Sequence, residues 1–407
     1  MEPREVVIVS ACRTAIGKFQ GQFEKVSART LAMTAGNEAI RRAGLDPLQV
    51  DEIVMGQVYT AMQGSLPARQ VSMRIGMDIT SNAVTVNQNC ASGMRALEIA
   101  CNNIQLGKSD ISLVVGVENM TQAPFLLPNA RMGYRMGGIA SQGGAELYDS
   151  MLHDALYDDL SGGHMGVTAD NVAKLYNITR QECDELAVMS HQRACAAIES
   201  GKFKDEIVPV VIRSKKGDQL IDTDEHPIRG CSLESISKLK PVFSPDGVTT
   251  AANASGINDA AAAVIVMSAG KAKELGIQPM AKMIDICAKG VDPKYMGLGP
   301  AVAIPKCLGR AGMGFGDVEY WEINEAFAAQ FLGVGRKLKE DHGYELDLNY
   351  VNVNGSGISL GHPIGCSALR IVVTMLYEMQ RRGYRTGCAS LCVGGGPAMA
   401  SLWTREF

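Results

Sequence analysis

The chain has no long hydrophobic run, no excess of either charge and no closely paired cysteines. The longest apolar stretch, Ala260 to Met267, is far too short to span a bilayer, which argues against a membrane protein. Lys and Arg together number 39 against 43 Asp and Glu, a net charge of -4, and no basic run has the footprint of a nucleic-acid binder. The opening residues, "MEPREVVIVSACRTAIG", enter a strand almost at once, with neither a signal peptide nor an Arg-rich transit segment, and "WTREF" is no peroxisomal address. A cytoplasmic location is the expectation. There are 11 cysteines, an odd number, and none sits in a C-x-x-C pair, so neither a disulfide framework nor a zinc ribbon fits. Most of these thiols are expected to be small, buried and inert.

What is present has a repeating order. "AGLDPLQVDEIVMGQV", from Ala43, and "AGMGFGDVEYWEINEA", from Ala311, align without a gap: a helix end, a short turn, an acidic residue beside Val, then a strand. "CASGMRALEIA" opens a helix leading to "GKSDISLVVGVEN", and "GCSALRIVVTM" opens one leading to "GYRTGCASLCVGGG". Two matching pairs in the same order point to an internal duplication. The strands "REVVIVS", "DEIVMG", "SLVVGV", "AAVIVM" and "ASLCVG" are near-continuous apolar runs, as in sheets covered on both faces. This is an α/β architecture. The expected division is an N-terminal half over 1–120, completed by about 250–277, an inserted segment over 121–249, and a C-terminal half over 278–407. The insertion, with its Gly- and Met-rich turns, suits binding contacts held over a rigid scaffold.

Four stretches carry chemistry. In "VTVNQNCASGMRALEIACNNIQ" a strand, a polar turn and a helix follow one another, and Cys90 stands where turn becomes helix. Free N–H groups and the positive end of the helix dipole there predict a lowered thiol pKa. A plain buried cysteine is the bland reading. In "NVNGSGISLGHPIGCSALR", His362 sits in a loop of small residues just before a helix; of six histidines only it and His164 have strongly Gly-rich settings. In "LCVGGGPAMA", Cys392 ends an apolar strand, and the glycines after it can present N–H groups to an oxyanion or simply turn the chain. In "EINEAFAAQ", Asn324 is either a functional amide or a helix N-cap.

Taken together, "NQNCASG", "NEAFAAQ", "GHPIG" and "CVGGG" resemble, in order and spacing, the active-site motifs of thiolases, and the resemblance runs over essentially the whole chain. Its style is that of the short-chain, biosynthetic-type subgroup. The resemblance implies a thiolase fold: two duplicated βαβαβαββ halves in five layers, with an inserted loop domain for coenzyme A. It makes Cys90 the acylated nucleophile, His362 its proton acceptor and Cys392 the second acid/base. Asn324 would hold a water that completes one oxyanion hole with His362, and the N–H groups of Cys90 and Gly394 would form the other. Coenzyme A contacts carry over to Leu156, His164, Met165, Ser235, Phe243, Ala251, Ser255, Gly256, Ala326 and Phe327, and to Arg229 with a one-residue offset.

The resemblance further implies acyl-CoA substrates, coenzyme A as substrate and product with no permanently bound cofactor and no metal, and a homodimer or homotetramer. "APFLLPNARMGYRMGG", 123–138, is the candidate oligomer contact, through Phe125, Leu126, Leu127 and Met132. The implied reaction is cleavage of acetoacetyl-CoA to two acetyl-CoA and its reverse. A thiolase for longer or branched chains, and a catalytically dead acyl-CoA or lipid carrier, are the alternatives. The sequence departs from the family pattern at Cys366, Ala368, Pro397 and Ala398.

Overall fold

The computed structural model describes residues 3–134, 146–215 and 217–407. The first half comprises β1 (Val6–Arg13), α1 (Ala28–Arg42), β2 (Glu52–Gly56), β3 (Asn82–Val86), α2 (Ser92–Gln105) and β4 (Ile111–Asn119). The inserted stretch follows, with helices α3 (Met165–Tyr176) and α4 (Arg180–Glu199) and several two- and three-residue ribbons. Strand β5 (Asn258–Ser268) returns to the first half. The second half runs β6 (Ala281–Gly290), α5 (Pro300–Ala311), β7 (Tyr320–Ile323), α6 (Ala328–His342), α7 (Ile364–Arg382), β8 (Thr386–Cys392) and β9 (Pro397–Thr404).

The strands form one continuous ladder in the order β7-β8-β9-β6-β1-β5-β4-β2-β3. Its two ends mirror each other. β2 pairs parallel with β4, and β7 pairs parallel with β8. β5 lies antiparallel between β4 and β1, as β9 does between β8 and β6. Even the irregularities recur: β1 slips register between Ile8 and Ser10, and β6 between Met283 and Asp285. The two sheets are joined by the pairs Val7↔Lys282 and Ile8↔Ala281, and beyond that seam they diverge.

The gap between the diverging sheets is filled by α2 and α7. Helix α7 touches β4 and β5 on one side and β7 and β8 on the other, and it is buried almost all round from Ile364 to Leu376. α1 covers the outer face of the first sheet and α5 that of the second. The result is helix, sheet, helix pair, sheet, helix. The apolar runs of the strands are explained by this layering, since each sheet is dry on both faces.

Close packing of the central pair depends on glycine. A Cβ at Gly93 in α2 would lie 3.0 Å from Leu369 Cβ and 3.1 Å from Gly365 O in α7. A Cβ at Gly365 would lie 2.6 Å from Val117 O. These small residues let the two helix starts meet, and the residues just before those starts are Cys90 and His362. Glu118, at the end of β4, locks the junction: its carboxylate accepts from the N–H groups of Val58, Tyr59 and Gly365 at 2.9, 3.1 and 3.0 Å. Burial raises that carboxyl to about 7 despite the three bonds.

Within 123–138 only 123–134 falls in the described residues. There Phe125, Leu127 and Met132 are exposed, whereas Leu126 is half-buried, because it pairs with Tyr148 across a two-residue ribbon.

Candidate active site

The turn that presents Cys90 is built from its own sequence. Asn87 Oδ1 accepts the Asn89 N–H at 2.9 Å, and Ser92 Oγ accepts the Gln88 N–H at 2.9 Å while donating to Asn89 O at 2.7 Å. Asn89 is held at φ 45°, a left-handed conformation that asparagine tolerates better than most residues. The chain therefore reverses just before Cys90, and the sulfur faces a cavity of about 650 Å³.

His362 arrives from the other half. Its N–H donates to Asn258 Oδ1 at 2.9 Å, and Asn258 Nδ2 in turn donates to Gly17 O at 2.9 Å. Gly361, at φ 103°, leaves room for the Asn258 amide, which any Cβ there would overlap. The ring Nδ1 lies 2.6 Å from Ser367 Oγ, and Ser367 Oγ donates to Pro363 O at 2.9 Å. A hydroxyl has one proton. With that proton committed to the carbonyl, the ring must donate from Nδ1, which leaves Nε2 with a free lone pair. Nε2 is buried and has no hydrogen-bond partner among the described residues.

Cys392 ends β8 and Gly394 follows in the turn to β9, where Gly395 and Gly396 take φ of 87° and 100°. The N–H groups of Gly394 and of Cys90 itself are aimed at the Cys90 sulfur. Cys90 and Cys392 lie close enough that a charge on the first raises the pKa of the second, on top of the larger effect of burial.

Electrostatically the site is poised neutral. The Cys90 thiol is pushed up to about 11 by burial, which outweighs the two N–H groups. This corrects the lowered value expected from the helix dipole. The helix starts at Ser92, two residues on, and Cys90 lies in the cavity wall. His362 is lowered to about 4, chiefly by burial and then by the buried Arg370 guanidinium. The free site is thus a thiol beside a neutral imidazole.

Asn324 is fully buried just beyond β7; its Nδ2 stands 3.5 Å from His362 Nδ1 and its Oδ1 has no partner among the described residues. It is not an N-cap, because α6 begins only at Ala328 after Phe327.

Leu156, His164, Met165, Phe243, Ala251, Ser255, Gly256, Ala326 and Phe327 all line the same cavity as Cys90, His362, Cys392 and Gly394. His164 stacks on Phe243 at 4.5 Å, and Phe243 meets Phe327 edge-on at 6.1 Å. Ser235 does not line it; it is exposed on a short helix, Leu233–Ile236. Arg229 is exposed beyond the wall, next to Ile228, which does line it. Asn89, His226 and Met296 line the cavity as well, and the sequence reading passed over them. No glycine-rich setting marks His226; Met296 stands before Gly297 and Gly299 but carries no titratable group to draw notice, and Asn89 sits inside a quoted motif beside a more conspicuous cysteine. Cys366, Ala368, Pro397 and Ala398 stand off the cavity wall.

Two family models cover nearly the entire chain: thiolase, N-terminal domain, over residues 6–270 and thiolase, C-terminal domain, over 277–405. The chain belongs to the thiolase family.

This thiolase is 50% identical over 399 residues to the acetyl-CoA acetyltransferase of Syntrophomonas wolfei, covering 98% of both chains. It is 49% identical over 403 residues to that of Cupriavidus necator, covering 99% of this chain and 100% of the relative. A solved acetyl-CoA acetyltransferase from Syntrophomonas wolfei superposes at a TM-score of 0.97, with 57% identity and full coverage of both chains. Human mitochondrial 3-ketoacyl-CoA thiolase in complex with CoA superposes at 0.92, with 36% identity and 98% coverage of both. The thiolase fold is therefore shown, and so is an acyltransferase of the acetyl-CoA acetyltransferase kind. No helix among the described residues is long and apolar enough to cross a membrane.

Proposed function

We propose that the enzyme cleaves acetoacetyl-CoA with coenzyme A to two acetyl-CoA, and runs the reverse condensation, through an acetyl group carried on Cys90. The observation that carries this is the meeting of two unlike thiols and a neutral imidazole at one cavity wall, with two N–H groups aimed at the first sulfur. In the condensing direction His362 Nε2 takes the Cys90 proton as the sulfur attacks a thioester carbonyl. The carbonyl oxygen gains charge, and coenzyme A leaves with the proton that His362 hands on. Cys392, as its own proton passes to His362, then removes a methyl proton from a second acetyl-CoA; the resulting carbon attacks the acetyl-Cys90 carbonyl, and the Cys90 sulfur leaves and takes the proton back from His362.

Two sets of donors suit the two charged oxygens. The Cys90 and Gly394 N–H groups suit the acyl-Cys90 carbonyl. Asn324 Oδ1 can accept from a water that donates to a thioester oxygen, and His362 Nε2, a lone-pair acceptor in the free site, becomes a donor once it has taken a proton. The near-neutral free state means that proton transfer and attack are coupled, because a separated thiolate–imidazolium pair is strongly disfavoured here.

The acetoacetyl reading rests on Met165. Its sulfur packs 3.2 Å from the position a Gly394 Cβ would take, so the side chain crowds the space next to the reacting sulfur. Residues 121–249 are read as the coenzyme A-binding and oligomer-forming insertion, and a homotetramer or homodimer as the working state.

The direct test is the mass of the intact protein after mixing with acetoacetyl-CoA. An added acetyl group mapping to Cys90 is expected; an acetyl on another residue, or none in an active preparation, rejects the mechanism. A 3-ketoacyl-CoA thiolase of longer chain is the second reading, suggested by the 36% identical human relative. A kcat/KM series with chain length separates the two, and a maximum at six carbons or more rejects the acetoacetyl assignment.

A further inference from the structure

On the far face of the second sheet, away from the cavity, Asp285 and Cys287 of β6 face Cys307 of α5. One carboxylate oxygen and the two sulfurs all lie within 4.8 Å of one another. We propose that Asp285, Cys287 and Cys307 form a binding site for a thiophilic divalent cation of the zinc class, with water in the fourth position.

The geometry suits it. Cys307 Sγ is 3.5 Å from Asp285 Oδ2. In a tetrahedral site with metal–sulfur and metal–oxygen distances of roughly 2.3 and 2.0 Å, those two ligand atoms stand about 3.5 Å apart. Asp285 and Cys287, two residues apart in the regular part of β6 just past its register slip, share the face under α5. Both thiols are buried, while Asp285 is half-buried and gives the group its opening to solvent. Such an opening supplies an entry path and room for water. A third buried thiol, Cys388, lies across Leu402 from Asp285 and adds to the sulfur-rich surroundings.

The carboxylate is also oriented from outside. Arg310 holds Asp285 Oδ1 at 3.0 Å, which leaves Oδ2 turned to Cys307. Groups that orient a ligand in this way are a regular part of metal sites. The charges balance: binding releases two thiol protons, and two thiolates, one carboxylate, one dication and Arg310 sum to zero.

The duplication supplies an internal comparison. In the first half, Ser10 and Cys12 of β1 stand where Asp285 and Cys287 stand in β6, just past the matching register slip. Cys12 Sγ contacts Ala35 O at 3.2 Å, as Cys287 Sγ contacts Ala303 O at 3.6 Å. Ser10 Oγ donates to Ala39 O, and Ala39 occupies the place of Cys307. The fold is satisfied there by serine and alanine. The carboxylate and second thiol are therefore additions of the second half alone, not requirements of packing.

The test uses full-length protein carrying Cys90→Ala, because Cys90, Cys392 and His362 could themselves hold zinc. After stripping with chelator and dialysis against zinc, one equivalent per chain is expected. Cobalt(II) in its place should give a thiolate-to-cobalt charge-transfer band and the visible bands of a tetrahedral site. Asp285→Ser with Cys307→Ala, which installs the residues of the first half, should abolish both signals. Should that pair not fold, Asp285→Asn at the half-buried rim should weaken zinc at least tenfold. No zinc retained by the Cys90→Ala protein, or equal zinc affinity in the Asp285 variants, overturns the proposal.

Discussion

The N–H of Gly394 is aimed at the sulfur of Cys90, although the two residues belong to opposite halves of a duplicated chain. The proposed nucleophile and an N–H group that faces it thus come from different halves of the duplicated chain. Asn89 strengthens the link, donating from its side chain to Gly394 O at 3.4 Å.

Replacing Cys90 with Ser or Ala is expected to leave a folded protein with kcat lower by a factor on the order of 10⁴ to 10⁶. A hydroxyl is far harder to ionise than a thiol in this buried setting. Steady-state rates and circular dichroism check the two halves of the statement; activity near that of the parent would remove Cys90 from the mechanism.

Cys392→Ala should separate the chemistry. Acetyl transfer to Cys90 survives, while exchange of deuterium into the methyl group of acetyl-CoA is lost. Exchange at the parent rate in this variant would show that another group moves the proton.

Alkylation of Cys90 by iodoacetamide reports its ionisation. With a thiol raised to about 11, thiolate is scarce at neutral pH. The rate should climb roughly tenfold per pH unit through neutrality and show no plateau below about pH 9. A plateau near pH 7 would mean that the helix dipole and N–H groups outweigh burial after all. Cys392, which is fully buried, should react after Cys90.

Ser367→Ala removes the acceptor that fixes the His362 tautomer. A loss of about 1–2 kcal/mol is expected, or roughly 5- to 30-fold in kcat, with KM little changed. A fall in KM-linked binding with unchanged kcat would assign Ser367 to structure only.

Met165→Ala opens the wall beside Gly394. The ratio of kcat/KM for a six-carbon 3-ketoacyl-CoA over acetoacetyl-CoA should rise by about 10- to 200-fold. An unchanged ratio would place the chain-length limit elsewhere on the cavity.

Much of this was legible in the sequence, and for a physical reason. Strands dry on both faces must read as unbroken apolar runs, and the stretches before β2 and β7 repeat one order: an Ala-Gly helix end, a turn, and Val beside an acidic residue. Cys90, His362 and Cys392 stood out because each lies among small residues at the start or end of an element, and the structure brings all three to one cavity. What could not be read was anything set by depth. The raised thiol of Cys90 follows from layers packed over it, not from its neighbours in the chain. Arg229 and Ser235 were carried over by likeness, and only the path of the insertion shows that they stand outside the cavity wall. Asp285 and Cys307 come from a strand and a helix, and no spacing rule unites them.

The order of the ladder also governs how the enzyme comes into being. β9, which ends three residues before the C-terminus, is the strand that joins β8 to β6. Until it is in place, β8 has no antiparallel neighbour to fix Cys392 and Gly394, even though β1 and β5, some 250 residues apart, can already be paired. A ribosome-bound chain therefore carries Cys90 long before it carries a site. The wall around that thiol is complete only once β9 has been made, and a chain stopped short of β9 presents two open strand edges, the usual invitation to aggregation and proteolysis.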